Sequence, residues 1–134
     1  MGTTNNRMFV AKRLFSLGSA SAGIGVALGA FGAHGLKSMI SAETLSVFET
    51  AVRYQMYHAL GMIVTAWAST HWGIERRGFK AAGWCFVLGT ILFSGSLYIL
   101  CLTGERWLGA ITPAGGVLFI AGWFLLFFST LERG

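Results

Sequence analysis

The chain has 134 residues, of which 54% are hydrophobic and 11% charged, with a formal net charge of +5. That charged share is about half of the usual one. The basic residues Arg7, Lys12, Arg13, Arg76, Arg77 and Lys80 sit at the ends of apolar runs and form no stripe among exposed aromatics. The pattern excludes a nucleic-acid partner and points to lipid headgroups and membrane orientation.

Residues 1–6 are polar and read as a disordered arm. Leu14–Leu36 follows, with 23 residues and no Lys, Arg, Asp or Glu. About 20 apolar residues cross a bilayer as a helix. The run is too long for the h-region of a cleaved signal peptide, so it reads as span one. The next segment is an amphipathic helix that leads into span two. Ser41 suits its N-cap and Glu43 its first turn. Leu45, Phe48, Val52 and Met56 recur at helical spacing. Glu49 and Arg53 stand at i and i+4, the order that favours an ion pair.

Span two is the charge-free run Tyr54–Ile74, span three Ala81–Gly104 and span four Trp107–Leu131. The loops Glu75–Lys80 and Glu105–Arg106 are short, which places consecutive helices side by side in opposite directions. Trp72, Trp84 and Trp107 bracket the spans as an interfacial belt, with Trp67 and Trp123 deeper. The fold class is therefore an all-α membrane protein, an antiparallel bundle of four transmembrane helices in one domain, residues 1–134. One side of the membrane collects Arg7, Lys12, Arg13, Arg76, Arg77, Lys80 and Arg133, the other only Lys37, Arg53 and Arg106. By the positive-inside rule both termini are cytoplasmic.

Lipid tails supply no hydrophobic drive between helices, so close backbone approach through small residues must hold them. Span one offers Gly18, Ala22, Gly25, Gly29 and Gly32 near a seven-residue repeat, and Gly89, Gly115 and Gly122 serve spans three and four. A second pattern is polar. His34, His58, Ser94, Tyr98 and Thr112 fall at similar depth near the outer ends of their spans, with Glu49 and Arg53 just above. Unpaired polar groups in hydrocarbon cost several kcal/mol, so these seven are candidates for one inward-facing cluster. It would either tie the helices together or form a site open to the outer face.

The residues for other chemistry are missing. The three histidines lie 24 and 13 residues apart and no ligand cluster follows, so neither a metal nor another cofactor is expected. Cys85 and Cys101 are sixteen residues apart on one helix, about 24 Å by helical rise, and cannot pair. No nucleophile–base arrangement and no phosphate loop is present. All five glutamates lie outside the four runs, which weakens a proton-driven pump.

Four stretches carry a resemblance: Gly29-Ala30-Phe31-Gly32-Ala33-His34-Gly35-Leu36, the run Phe48 to Leu60, Leu92-Phe93-Ser94-Gly95-Ser96-Leu97-Tyr98, and Ile111-Thr112-Pro113-Ala114-Gly115-Gly116. In this order the chain resembles the small integral membrane proteins of the bacterial YgdD type, domain of unknown function 423. The resemblance implies four membrane helices in a bacterial inner membrane and brings no catalytic residues. The expected function is a non-enzymatic membrane protein that stabilises or engages lipids, other membrane proteins or copies of itself. The alternative is a small oligomeric channel or transporter that uses the outer polar cluster.

Overall fold

The computed structural model describes residues 2–71 and 77–131, with side chains from Met8 onward. Trp72, Glu75, Arg76 and Arg133, and the side chain of Arg7, lie outside the described residues. Four helices make up the structure: α1 (Gly2–His34), α2 (Ala42–His71), α3 (Arg77–Thr103) and α4 (Thr112–Leu131). With their flanking turns, α1, α3 and α4 are long and apolar enough to cross a membrane.

α1, α2 and α3 each begin before their charge-free runs, because freedom from charge marks only the hydrocarbon portion. α1 is helical from Gly2, so residues 2–6 are not the separate arm that their polarity suggests. No proline interrupts them, and each added residue gains a helical hydrogen bond. Ser41 caps α2: its Oγ accepts from the Thr44 N–H at 3.1 Å. The amphipathic segment and span two are thus one helix of 30 residues. α3 stops at Gly104, which takes φ +75° and donates its N–H to Leu100 O at 2.8 Å. A side chain there would be strained. A 3₁₀ turn over Arg106–Ala110 follows, so α4 starts at Thr112, later than Trp107. Pro113 fits its first turn, where no intrahelical N–H is lost.

α2 falls short of the other three in apolarity, since Gln55, His58, Thr65, Ser69, Thr70 and His71 lie along it. Its position explains why it tolerates them. α1 packs chiefly on α2, and α3 packs on both α2 and α4. Gln55, His58 and Thr65 are consequently buried. Thr65 returns its hydroxyl to its own helix, at Gly61 O, 2.7 Å away.

The small residues set the closest approaches. A methyl added at Gly18 would lie 2.7 Å from Ala59 O, one at Gly25 would meet Met56 and Gln55, one at Gly29 Val52, and one at Gly32 the Phe48 ring. Partner numbers fall along α2 as they rise along α1. Ala22, between two of these contacts, is half-buried. On the far side, Gly89 meets Phe119, Gly115 meets the Phe93 backbone nitrogen, and Gly122 meets Phe86. Gly83 receives Leu14, which brings α1 against α3.

α2 and α4 are joined differently. Their backbones stand farther apart, and rings fill the space. Phe86, Phe119 and Met62 form the centre of the core. None of the described tryptophans is buried: Trp67, Trp84, Trp107 and Trp123 all face outward in part. Cys85 and Cys101 are free thiols.

Candidate functional site

The polar residues named from sequence form several separate ties between helices. The first crosses three helices. Tyr98 on α3 donates its hydroxyl to Gln55 Oε1 on α2 at 2.7 Å, and Gln55 Nε2 donates to Ser21 O on α1 at 2.9 Å. One amide thereby holds a neighbour on either side, and Phe48 covers it with its ring against Tyr98 at 5.2 Å.

The second tie starts from an irregularity in α3. Residues Ile91–Gly95 form a π-helical turn between the α-helical stretches Arg77–Thr90 and Ser96–Thr103. Ser94 lies in that turn, is fully buried, and donates to Ala51 O on α2 at 2.7 Å. Just beyond it, Ser96 Oγ and Thr112 Oγ1 share a hydrogen bond of 2.8 Å, which joins α3 to the start of α4. Gly115 packs directly on the same turn, since any Cβ there would collide with Phe93.

The third tie carries the histidine. His58 Nδ1 lies 2.7 Å from Tyr54 O, and its Nε2 lies 3.2 Å from Trp123 Nε1 on α4. An indole nitrogen can only donate. His58 Nε2 therefore accepts, Nδ1 carries the proton, and the Tyr54 carbonyl receives it. The neutral ring is fixed in one tautomer with both nitrogens used. It stacks on Phe119 with centroids 3.4 Å apart and planes 4° from parallel.

These residues do not share one level. Gly32 meets Phe48 and Gly18 meets Ala59, which sets His58 about 20 Å deeper than His34, and direction around the helices separates the rest. His34 is exposed. It stands about 200° round α1 from Gly32, the residue that faces α2. Glu49 and Arg53 are also exposed, and among the described residues no ion pair joins them. They lie on the outward face of α2, roughly 100° and 140° from buried Phe48. The single cluster expected from depth does not form. Ser94, Tyr98, Thr112 and His58 serve three separate ties, and His34, Glu49 and Arg53 serve none.

Three participants were not singled out beforehand: Gln55, Trp123 and the π-turn. Gln55 carried a usable signal, since an amide in a charge-free run must find partners within the protein. Among the described residues, no group of three metal-ligating side chains occurs. No buried side-chain nitrogen or oxygen among them lacks a partner.

A groove of about 660 Å³ opens between α2 and α4, walled by Tyr57, His58, Phe93, Phe119, Ile120 and Trp123. Of its polar side chains, His58 and Trp123 bond to each other, while the Tyr54 and Tyr57 hydroxyls have no partner among the described residues. What the fold and this site define is a small membrane protein whose intramembrane polar groups tie helix to helix, with a lateral groove of rings between α2 and α4.

Comparison with known proteins places it further. The chain belongs to the family described as Protein of unknown function (DUF423), whose model matches residues 28–116. It is 50% identical over 121 residues to a UPF0382 membrane protein of Staphylococcus haemolyticus, covering 90% of this chain and 97% of that one. It is 50% identical over 111 residues to the UPF0382 membrane protein YwdK of Bacillus subtilis, covering 82% and 89%. No solved structure matches it.

Proposed function

We propose that this protein is a non-enzymatic element of the bacterial cytoplasmic membrane that acts by engaging lipids or other membrane proteins. One observation carries the reading: every buried polar side chain among the described residues is spent on a bond inside the chain. A catalyst or a carrier needs polar groups left free to meet a substrate. Here the residues best suited to that task, His58, Tyr98 and Ser94, are each committed to a neighbouring helix.

The channel reading has less support. The centre of the bundle is filled by Met62, Phe86 and Phe119, so a single copy offers no path for water. In liposomes the purified chain should pass ions and small solutes no faster than empty vesicles do. Crosslinking in the native membrane should instead capture a defined lipid or protein neighbour. Flux above the empty-vesicle level that scales with protein would overturn the reading.

The same proposal sets α2 across the bilayer with the other three helices, shielded by them from lipid on its polar faces. Both termini are then cytoplasmic, by the bias of seven basic residues against three. The test is a Thr4→Cys chain in which Cys85 and Cys101 are replaced by Ser. In intact cells the new thiol should resist an impermeant reagent. Labelling from outside would invert the orientation.

A further inference from the structure

We propose that the groove between α2 and α4 holds one phospholipid with a primary ammonium headgroup, its phosphate on Arg53 and its ammonium on Glu49. This deepens the reading above by naming the lipid that the surface takes.

The groove's interior is apolar in practice. Away from the Tyr54 and Tyr57 hydroxyls its polar members are His58 and Trp123, which bond to each other, with His58 also bonded to Tyr54 O. A polar solute would find no free partner on that wall, whereas an acyl chain needs none. The groove opens sideways, toward the position of the lipid tails. Its volume lies within the range of sites that enclose a small molecule, about 300–1,000 Å³.

The mouth differs from the walls. The Tyr54 ring stacks on Phe93 at 4.6 Å, and Gly115 packs on Phe93 as well, which sets Tyr54 level with the first turn of α4. That level lies inside the apolar runs of α3 and α4, so the groove stands at the depth of the tails. The long Arg53 side chain, with Glu49 a turn further out, leads from it toward the headgroups. Helical side chains lean toward the N-terminus, so the Tyr54 and Tyr57 phenols point toward the end of the groove nearest Arg53. Neither hydroxyl has a partner among the described residues. Arg53 is one turn above Tyr57, and Glu49 one turn above Arg53.

Charge order then selects the headgroup. Glu49 and Arg53 have the spacing and order that favour a mutual pair, yet they do not pair. Both are left to meet something outside the chain. Read inward from the aqueous side, α2 presents a carboxylate, a guanidinium, phenols and then rings. A phospholipid of the ethanolamine type presents an ammonium, a phosphate, ester oxygens and then acyl chains. Guanidinium with phosphate is a strong charge-assisted contact. A primary ammonium donates hydrogen bonds to the carboxylate that a quaternary one cannot.

Native mass spectrometry of the full chain in detergent tests this, with phosphatidylethanolamine, phosphatidylcholine and phosphatidylglycerol of equal chain length added at equal concentration. The ethanolamine adduct should exceed the other two by about threefold, the scale of an exposed ion pair. Glu49→Gln should erase that preference. Arg53→Gln should weaken all three adducts by about tenfold, the scale of a bond to a charged group. Gly116→Leu should remove them: Gly116 lines the groove, and a Cβ there meets only the Phe93 ring at 3.9 Å, so the larger side chain fills the groove without striking the protein. Glycerol phosphate, the head without the chains, should not compete. Equal adducts of the three lipids, adducts that survive Gly116→Leu, or competition by glycerol phosphate would overturn the proposal. So would a dimer that Gly116→Leu dissolves, since a second copy would then be the occupant. Glu49→Gln changes only an exposed side chain, so the headgroup arm stands even where the groove variant folds poorly. Failure here leaves the interaction reading to its own flux and crosslinking tests.

Discussion

α2 meets α1 and α4 by opposite means. Toward α1 it offers backbone: Gly18 approaches Ala59 O so closely that no Cβ fits, and Gly25, Gly29 and Gly32 continue the contact down the helix. Toward α4 it offers rings, with His58 stacked on Phe119 and bonded to Trp123 while the two backbones stand apart. In lipid, tails are as apolar as leucine, so a helix gains nothing merely by hiding apolar surface. The glycine contact gains dispersion over many close atom pairs. The ring contact gains stacking and one hydrogen bond, and it leaves a groove open beside it. The first is an interface that any added atom damages. The second has room on its outer side.

The largest expected effect tests the glycine side. Gly18→Val should destabilise the bundle by about 3 kcal/mol, since its Cβ meets a carbonyl of the facing helix and not a flexible tip. Gly23 has nothing within 4 Å of an added Cβ, so Gly23→Ala should stay within about 0.5 kcal/mol. Reversible unfolding in mixed detergent micelles measures both. Equal losses at the two positions would mean that close approach is not what holds α1.

A smaller effect belongs to the amide between the two regions. Gln55→Leu and Tyr98→Phe each break the 2.7 Å bond, so together they should cost less than the sum of the two. The coupling should be about 1 kcal/mol, the scale of polar pairs between membrane helices. Strict additivity would sever the tie.

The smallest effect tests the ring side. Trp123→Phe keeps most of the ring and removes only the N–H that His58 accepts, which should cost about 0.6 kcal/mol. A loss as large as that of Gly18→Val would show that the two contacts do not differ in kind.

The four helices were legible because charges interrupt the apolar runs. The α1 seam was legible as well, since a seven-residue repeat fixes one face of a helix and Gly18, Gly25 and Gly32 all lie on it. The polar cluster was misread for a related reason. Position along a run gives depth, and depth alone says nothing of direction around the helix. His34 faces outward and His58 faces α4. The two are not level either, since α2 begins at Ala42, well before its charge-free run, and Gly18 rather than the end of α1 meets Ala59. Gln55 was passed over because an uncharged amide does not interrupt an apolar run, although once buried it joins three helices. The π-turn has no residue signature of its own, so Ile91–Gly95 reads as ordinary helix until its hydrogen bonds are seen.

That turn gives α3 two phases in one rod. Phe79, Ala82, Gly83, Phe86 and Gly89 are buried at steps of three and four, and Phe93 continues the rhythm. Ser94, Tyr98 and Cys101, which bond to α2, keep the same rhythm one residue late. The slip lets the upper half of α3 keep its bonds to α2 while the lower half packs on both α2 and α4, and no proline is involved. It also makes the helix sensitive to counting. Deleting one residue inside Ile91–Gly95 would turn the π-turn into an ordinary α-helical one and leave Tyr98 and Cys101 on their partners, whereas deleting one elsewhere in α3 would swing everything beyond it by about 100°.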